Sequence, residues 1–384
     1  MKVVHAAKFY PPVDGGIERV VGDLCDGTAQ DWDVRVVAAN NRLWTERDTR
    51  AGVQVLRAGS LGLAASVPLC ASLPFHLWST HADCVVLHEP NPVAGASLFL
   101  RTPAPHLVVW HHSDLLRPWW APATYGRVQR ALYRRADCVI VSSPPLADHS
   151  TLVSHARRVA VIPFGVDLAR HEPGRADRAA VAARVRALPG PRLLFVGRLV
   201  YYKGVDVLIH ALARCRGSLV IVGGGPLRGE LEALAHRRGL GARVVFAGRV
   251  SDDDLPAYYE AADVFVLPST AKTEAFGVVQ AEAMAAGLPV VSTDLPTGVP
   301  WVNQDGVSGL VVPTGDVQAL GAALVRLVED PGLRARLGQG ARLRAERLFA
   351  RPRMVRAFAE LIETVVERPA ELDALVARMR REVA

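Results

Sequence analysis

Residues 193–204 read Leu-Leu-Phe-Val-Gly-Arg-Leu-Val-Tyr-Tyr-Lys-Gly, a short apolar run followed by a loop bounded by two glycines. An apolar run of this length between turn residues is typical of a strand buried on both faces of a parallel sheet. The loop holds Arg198 and Lys203, which together can clamp a diphosphate, because arginine supplies a planar fork and lysine a point charge. A solvated pair of surface charges is the other interpretation. The chain has only four lysines, and this rarity favours the phosphate site.

Similar apolar runs occur on both sides of this stretch and alternate with longer helical patterns. The first series of predicted strands comprises Val3–Ala6, Val34–Ala39, Val53–Arg57, Cys84–His88, Leu107–Trp110 and Cys138–Ser142. The second series comprises Leu193–Val196, Leu219–Val222, Val244–Ala247, Val264–Leu267 and Val290–Ser292. We therefore predict an α/β protein of two Rossmann-like, doubly wound domains, with the carboxyl ends of both sheets facing a central cleft.

The predicted domain boundaries follow the prolines and glycines between the two series. Residues 1–168 are expected to form the N-terminal domain, residues 169–190 the linker and residues 191–350 the second domain. Helical patterns dominate after residue 316, and we expect the helices of residues 351–384 to pack back toward the N-terminal domain.

The composition excludes several classes of protein. A chain of 384 residues, of which 50% are hydrophobic and 22% charged, can build packed cores for two or three domains. The five cysteines are scattered without a CxxC pair, which excludes a zinc ribbon and fits a reducing compartment. The net charge of +7 comes with no zinc-finger spacing and no aromatic RNA-binding signature, so we expect no nucleic-acid partner. Because we find no signal peptide and no apolar stretch that could span a bilayer, we expect a cytoplasmic protein.

Two further glycine clusters follow predicted strands. Gly15 and Gly16 enter a helix after the first strand, where backbone N–H groups can approach a phosphate. Gly223–Gly225 follow the strand Leu219–Val222 in the same way. Taken alone, each cluster is as consistent with a tight turn as with a ligand loop.

Two glutamates flank the start of a predicted helix. Glu274 precedes the helix, whose first turn offers free N–H groups at Phe276–Val278, and Glu282 lies eight residues further on. At about 100° per residue the two carboxylates are about 80° apart around the axis, so both can face one ligand. Hydroxyls bound by the acids and phosphate bound by the amides would suit a sugar nucleotide. An exposed helix charge is the alternative, although an unpaired charge at Glu282 inside an apolar helix would be costly.

In this order and spacing, Gly197–Gly204, Gly223–Pro226 and Glu274–Glu282 resemble the retaining glycosyltransferases of family 4, which have the GT-B fold. The resemblance implies that Arg198 and Lys203 bind the donor diphosphate. It implies that Glu282 binds the nucleotide ribose and that Glu274 contacts the hydroxyls of the donor sugar. The other donor-side positions that it implies are Gly15, Gly16, Gly224, Val250, Phe276, Gly277 and Val278.

The sequence Trp110-His111-His112-Ser113-Asp114 offers two candidates for the sugar-contacting histidine of that family. We prefer His112, and we place His111 and Asp114 on the acceptor side. For each of the two histidines, a buried core residue is the alternative. The segments around His112, Arg198–Lys203 and Gly298–Asn303 look most like bacterial polysaccharide and O-antigen members of the family. Several of those members transfer mannose from GDP-mannose.

Two acidic motifs are not expected to bind metal. Asp252-Asp253-Asp254 directly precedes a helical pattern, where acids serve as caps and dipole partners, and Asp31-Trp32-Asp33 is a turn before a strand. We expect neither a metal ion nor a cofactor, because Arg198, Lys203 and a helix N-terminus already neutralise the leaving diphosphate.

The resemblance predicts transfer of a hexose, with mannose from GDP-mannose preferred, to a lipid-linked or glycan acceptor with retention of anomeric configuration. We expect attack on the face from which the diphosphate leaves, since the sequence offers no assured carboxylate nucleophile. A UDP-sugar donor with a small-molecule acceptor is the main alternative. A sugar-nucleotide epimerase, a phosphorylase or a non-catalytic binding protein would each keep the fold with another role.

The segment Leu115–Ala136 combines five arginines with four aromatic residues and no acid. Its aromatic residues are Trp119, Trp120, Tyr125 and Tyr133, of the kind that settle at a lipid headgroup boundary. We predict reversible docking of this segment on an anionic membrane surface. An ordinary surface helix is the alternative.

Overall fold

A computed structural model describes residues 1–13, 15–64, 67–114, 121–172 and 179–383 of the chain. The chain divides into two compact units. Unit 1 comprises Met1–Gly165 together with Arg351–Ala384, and unit 2 comprises Val166–Ala350. Each unit is built on a mainly parallel sheet, which confirms the predicted α/β class and the two Rossmann-like domains.

Unit 1 is built on a sheet whose strand order reverses between β1 and β7. Its strands are β1 (Lys2–Ala6), β2 (Asp33–Ala39), β3 (Glu46–Arg50), β4 (Val53–Ala58), β5 (Leu63–Ala64), β6 (Val67–Pro68), β7 (Cys84–Glu89), β8 (His106–His111), β9 (Cys138–Val141) and β10 (Val159–Val161). The main sheet has eight strands in the order β10-β9-β8-β7-β1-β2-β4-β3, and only the edge strand β3 runs antiparallel to its neighbour. β5 and β6 form a separate hairpin.

The central strands of unit 1 are apolar because helices cover both faces of the sheet. The helices are α1 (Gly16–Thr28), α2 (Leu73–Trp78), α3 (Pro92–Leu100), α4 (Ala121–Arg135) and α5 (Pro144–His149). Two C-terminal helices of the chain, labelled in chain order α14 (Arg351–Glu367) and α15 (Leu372–Val383), complete this unit. α14 packs on α1 and α15 on β10, so the last helices belong to the N-terminal unit.

Unit 2 has a six-stranded parallel sheet in the order β13-β12-β11-β14-β15-β16. Its strands are β11 (Arg192–Val196), β12 (Ser218–Val222), β13 (Val244–Gly248), β14 (Val264–Leu267), β15 (Val290–Thr293) and β16 (Gly309–Val312). Its helices are α6 (Ala179–Arg186), α7 (Val205–Leu212), α8 (Arg228–Arg237), α9 (Leu255–Ala261), α10 (Val278–Ala285), α11 (Val299–Val302), α12 (Val317–Glu329) and α13 (Pro331–Leu348). α7 and α12 pack together over one face and bury Leu208, Ile209, Leu324 and Leu327.

The position of the crossing between the units differs from the predicted linker. The chain passes into unit 2 after Gly165 and returns to unit 1 at Arg351. The described part of residues 169–190, predicted to be the linker, lies in unit 2, because α6 buries Ala182 and Val185 and packs on α9. These two apolar positions are three residues apart on one helix face, which gives this stretch a core contact that a linker would lack.

None of the helices in the part of the chain that the structure describes is both long and apolar enough to cross a membrane. All five cysteines are free and buried.

Candidate active site

The candidate residues Arg198, Lys203 and Glu274 of unit 2 lie on the loops that follow β11 and β14. These strands are neighbours at the point where the strand order reverses. In open α/β sheets, ligands bind at the carboxyl ends of the strands at such a point. The fold therefore brings together Lys203, on the loop after β11, and Glu274, on the loop after β14, although 71 positions separate them in the sequence.

Lys203 and Glu274 form a buried ion pair. The Lys203 ammonium lies 2.5 Å from Oε2 of Glu274, and the Ser269 hydroxyl donates to the same oxygen at 3.0 Å. The two residues are only 9% and 8% exposed. Removing a single partner from such a pair would leave an uncompensated buried charge, so each side chain holds the other in place.

Arg198 lies near the same pair but is exposed. Among the described residues no carboxylate forms an ion pair with it. Burial raises the pKa of Tyr202, and the positive charges of Lys203 and Arg198 both oppose that rise, so the two cations act on one neighbourhood. An exposed guanidinium beside a fixed ammonium can bind an anion without first breaking an ion pair.

The loops after β11 and β12 pack backbone against backbone. The Gly197 N–H donates to the carbonyl oxygen of Val222 at 3.0 Å, and the Leu199 N–H donates to that of Gly224 at 3.0 Å. Gly223 has φ +129°, and a Cβ there would lie 2.0 Å from the carbonyl oxygen of Gly197. This close approach requires glycine. Gly224 in turn lies beside Arg249, with the Arg249 Cγ 3.3 Å from the Cβ position, and half-buried Val250 follows.

The helix α10 starts at Val278, directly after Gly277 in the left-handed conformation with φ +70°. Gly277 has no side chain with which to cap this N-terminus, and the first amides of α10 lie at the end of the loop that carries Glu274. A helix N-terminus of this kind favours an anion. The Phe276 ring is buried against Trp301 and Phe349, which makes its side chain part of the core and leaves only its backbone for a ligand.

Glu282 is a buried carboxylate in the interior of α10. The Tyr259 hydroxyl, at the end of α9, donates to Oε2 of Glu282 at 2.8 Å. We predicted that Glu274 and Glu282 face one ligand. In the structure the two carboxylates have different partners, Lys203 for Glu274 and Tyr259 for Glu282. Sequence reasoning missed Tyr259 and Ser269, whose positions relative to the carboxylates depend on strand order.

In unit 1, α1 begins at Gly16 after the loop that follows β1. Gly15 is extended with φ 175°, and as a glycine it has no side chain that could cap the helix. A Cβ at Gly16 would meet nothing within 4 Å, so open space lies beside the helix start. This space is compatible with the expected approach of a phosphate to Gly16.

Both candidate histidines are buried, and they point to opposite faces of the sheet. His111 Nδ1 lies 2.7 Å from the Tyr133 hydroxyl, beneath α4. His112 Nε2 lies 3.0 Å from His88 Nδ1, and its ring packs parallel to Trp110. Burial lowers the pKa of His112 to about 3, so this imidazole is neutral at neutral pH. Its Nδ1 is buried without a hydrogen-bond partner among the described residues.

Asp114 is held on the same side as His111. The Ser150 hydroxyl donates to Asp114 Oδ1 at 2.9 Å, and His111 Nε2 lies 3.4 Å from the same oxygen. His111, Asp114 and Ser150 thus form one polar cluster next to the end of α5.

A buried carboxylate that sequence reasoning missed lies at the end of β7. Glu89 is fully buried and accepts hydrogen bonds from the Asn91 N–H at 3.0 Å, from Gln129 at 3.1 Å and from the Tyr125 hydroxyl at 2.5 Å. Burial raises the pKa of Glu89 and its hydrogen bonds oppose the rise. The signal was available, because Glu89 is a carboxylate at the end of a buried strand, at the carboxyl edge of a parallel sheet.

The two acidic motifs have structural partners. The Ser251 hydroxyl donates to Asp254 at 2.8 Å at the start of α9, and Asp33 lies 3.1 Å from Arg35. Among the described residues no group of three or more His, Cys, Asp or Glu side chains is placed to hold a metal ion.

The predicted membrane segment falls partly outside the described residues, which exclude residues 115–120 and therefore Trp119 and Trp120. Its other two aromatic residues do not lie on the surface. Tyr133 is fully buried against His111 and Tyr125 is bonded to Glu89, so both face inward as core residues. Arg127, Arg134 and Arg135 are exposed on the outer face of α4.

The two Rossmann-like units and the cationic loop at the switch point of unit 2 define the class of the protein, a glycosyltransferase of the GT-B fold. The family profile described as "Glycosyl transferases group 1" matches residues 182–344, and "Glycosyl transferase 4-like domain" matches residues 15–165. The chain belongs to this glycosyltransferase family, which confirms the resemblance.

Known proteins are similar along nearly the whole chain. O-antigen chain mannosyltransferase C of Escherichia coli is 33% identical over 376 residues, covering 96% of this chain and 99% of that protein. GDP-mannose-dependent alpha-(1-6)-phosphatidylinositol monomannoside mannosyltransferase of Mycobacterium tuberculosis is 30% identical over 367 residues, covering 89% of this chain and 92% of that protein. Among solved structures, sucrose-phosphate synthase from Thermosynechococcus elongatus superposes with a TM-score of 0.79 at 25% identity, covering 95% of this chain and 98% of that one.

Proposed function

We propose that the protein transfers mannose from GDP-mannose, with retention of configuration, to a lipid-linked or glycan acceptor in the synthesis of a cell-surface polysaccharide or glycolipid. The observation that carries the donor site is the buried Lys203–Glu274 pair with exposed Arg198 beside it. The choice of mannose is supported by the names of the two mannosyltransferase relatives, which match nearly the whole chain. The choice of GDP is supported by the name of the second relative alone, which is described as GDP-mannose-dependent.

In the proposed reaction, the leaving group is a nucleoside diphosphate bound by Arg198, by Lys203 and by the N-terminus of α10. Fixed positive charge next to the departing oxygen stabilises the transition state, because it needs no reorganisation during the reaction. Glu274 holds Lys203 at 2.5 Å and offers its other carboxylate oxygen to the donor sugar. With two cations and a helix terminus in these roles, the reaction needs neither metal nor cofactor.

The proposed retention follows from attack on the face that the diphosphate leaves. The departing phosphate oxygen takes the proton of the attacking hydroxyl as the new glycosidic bond forms. His112 contacts the sugar, and Asp114 and His111 lie on the acceptor side of unit 1. Glu282 binds the ribose with Tyr259 as its hydrogen-bond donor.

We also propose that the protein works in the cytoplasm, at the inner face of the membrane, where a lipid-linked acceptor would be available. With Tyr125 and Tyr133 buried, the exposed arginines of α4 are what the structure offers for attraction to anionic lipid. Each basic residue near such a surface contributes about 1 kcal/mol, so docking would be reversible and salt-sensitive.

A donor screen tests the proposal. A ligand that binds only the folded protein raises its melting temperature, and we expect GDP-mannose and GDP to do so more than UDP-glucose, UDP-N-acetylglucosamine or ADP-glucose. GDP-mannose should also release GDP slowly without an acceptor. A larger shift with a UDP-sugar would make UDP the donor base. Binding without any release of nucleoside diphosphate would indicate a non-catalytic protein.

A further inference from the structure

Three buried histidines form a continuous row across the sheet of unit 1. His5 on β1, His88 on β7 and His112 directly after β8 come from strands that neighbour one another in the sheet. The distance from His5 Nδ1 to His88 Nε2 is 2.9 Å, and that from His88 Nδ1 to His112 Nε2 is 3.0 Å. The three residues are at most 2% exposed.

The ring geometry shows that both contacts are in-plane hydrogen bonds. The ring centroids are 5.2 Å and 5.3 Å apart with interplanar angles of 14° and 19°. Each centroid distance is longer than the matching N–N distance by about the width of one imidazole ring. This is the difference expected when both nitrogens lie on the line that joins the two ring centres. The nitrogen lone pair of one ring therefore points along the N–H of the next, which is the direction that hydrogen bonds prefer.

Each bond needs one N–H and one lone pair, so the protons of the row are coupled. Burial lowers the pKa of His5 and of His112 to about 3 and that of His88 far below its usual value, so all three rings are neutral. A neutral imidazole carries one N–H. Only two arrangements then satisfy both bonds: every ring is protonated on Nε2, or every ring is protonated on Nδ1.

Two considerations favour protonation on Nε2. This is the more stable tautomer of a histidine side chain in water, and the preference applies to all three rings at once. In this arrangement the outer N–H of the row is the Nε2–H of His5, which is buried without a hydrogen-bond acceptor among the described residues. The His5 ring packs beside the Phe358 ring at a centroid distance of 5.6 Å. An N–H is accommodated better beside an aromatic ring than a lone pair is.

We propose that His5 and His88 are positioning residues that hold His112 as its Nε2–H tautomer, so that the His112 Nδ1 lone pair accepts a hydrogen bond from a substrate hydroxyl. This nitrogen is buried and has no hydrogen-bond partner among the described residues. A hydroxyl can donate to it without competition from any donor in the part of the chain that the structure describes. The inference rests on the proposed function for the identity of the substrate, a sugar.

Nitrogen NMR of the wild-type protein tests the tautomer directly. In protein labelled with ¹⁵N at histidine, the His112 Nδ1 resonance, assigned by its loss in His112→Gln, should have the shift of an unprotonated nitrogen. The His112 Nε2 resonance should have that of a protonated one. A protonated His112 Nδ1 in the wild type would overturn the proposal whether or not any variant folds.

A substitution two hydrogen bonds away tests the coupling. His5→Leu removes the acceptor for the Nε2–H of His88, and leaving that N–H buried and unpaired is costly. The His88–His112 bond should therefore reverse in part, and His112 Nδ1 should gain protonated character. Val4→Ala is the matched control, because Val4 is equally buried on β1 but points to the opposite face. An unchanged His112 shift in folded His5→Leu would contradict the coupling.

Kinetics supply a second measurement. If the lone pair of His112 is presented to the sugar, His5→Leu should lower kcat/KM about fivefold, the equivalent of one hydrogen bond of about 1 kcal/mol. Val4→Ala should leave kcat/KM within twofold. If the wild type showed no transferase activity, the proposed function would fail, and the nitrogen shifts would still decide the tautomer.

Discussion

At the level of single residues, Lys203 and Glu274 define the candidate donor site. A buried ion pair is a weak source of stability, because the cost of desolvating two charges offsets their attraction. Its position at the carboxyl ends of β11 and β14 indicates a role in binding. The pair also fixes the ammonium, which would otherwise lose side-chain entropy when a phosphate binds.

The two glutamates should have different kinetic signatures. Glu282→Gln should raise the donor KM about tenfold or more with little change in kcat, because a ribose contact is equally strong in the ground and transition states. Glu274→Gln should chiefly lower kcat, since it releases Lys203 from its partner. Steady-state kinetics with varied donor measure both. Tyr259→Phe is the matched control for Glu282, removing one hydrogen bond to that carboxylate and keeping its charge. If Glu282→Gln lowered kcat and Glu274→Gln raised KM, the assigned roles would be reversed.

At the level of elements, the loops after β11 and β12 depend on a glycine contact. Gly223→Ala would place a methyl group 2.0 Å from the carbonyl oxygen of Gly197 at a positive φ. The melting temperature should fall by several degrees, and the affinity for donor should fall with it, since the cationic loop must shift.

Gly229→Ala is the matched control for that substitution. Gly229 lies in α8, and a Cβ there would meet nothing within 4 Å. Alanine favours a helix over glycine by up to about 1 kcal/mol, so this variant should be as stable as the wild type or more so. Equal melting temperatures for the two variants would refute the close packing of the loops.

The elements predicted from the sequence are those with a strong local pattern. The helical pattern predicted after residue 316 begins with α12, because Asp316 caps this helix and its apolar residues repeat with helical spacing. β3 was missed, since Glu46–Arg50 is polar and pairs only at the sheet edge. Gly165 as the crossing point was missed as well, because no local signal marks where the chain changes its packing partners.

The candidate site shows the same limit. Arg198 and Lys203 could be proposed because they follow a strand, and Glu274 and Glu282 because they lie just before and within a predicted helix. The pairing of Lys203 with Glu274 depends on β11 and β14 being neighbours, and strand order is not encoded locally. The histidine row likewise emerges only when β1, β7 and β8 are placed side by side.

At the level of the whole molecule, the chain should work without a metal ion. Arg198, Lys203 and the first amides of α10 supply the positive charge that a divalent ion supplies in other sites. Product formation should be unchanged after dialysis against EDTA, with a metal-dependent glycosyltransferase as the positive control. Loss of activity that Mg²⁺ or Mn²⁺ restores would contradict this prediction.

Membrane docking through α4 is also tested on the whole protein. The wild type should float with anionic but not with neutral vesicles at low salt, because the attraction is electrostatic. Arg127/Arg134→Glu should not float. Arg356/Arg381→Glu makes the same change of charge at exposed positions of α14 and α15, and it should still float. If the wild type stays in solution with anionic vesicles, the docking proposal is wrong and the transferase assignment is unaffected.

In the proposed reaction Arg198 and Lys203 bind the leaving diphosphate, and we expect the turnover of Arg198→Ala to reveal this role. Arg198 is exposed and unpaired with any described carboxylate, so its removal should leave the melting temperature unchanged. Arg237→Ala, an exposed arginine of α8, is the control. Single-turnover measurement of sugar transfer should show a rate for Arg198→Ala that is lower by about 100-fold or more, with Arg237→Ala at the wild-type rate. A near-normal rate in Arg198→Ala would contradict the account.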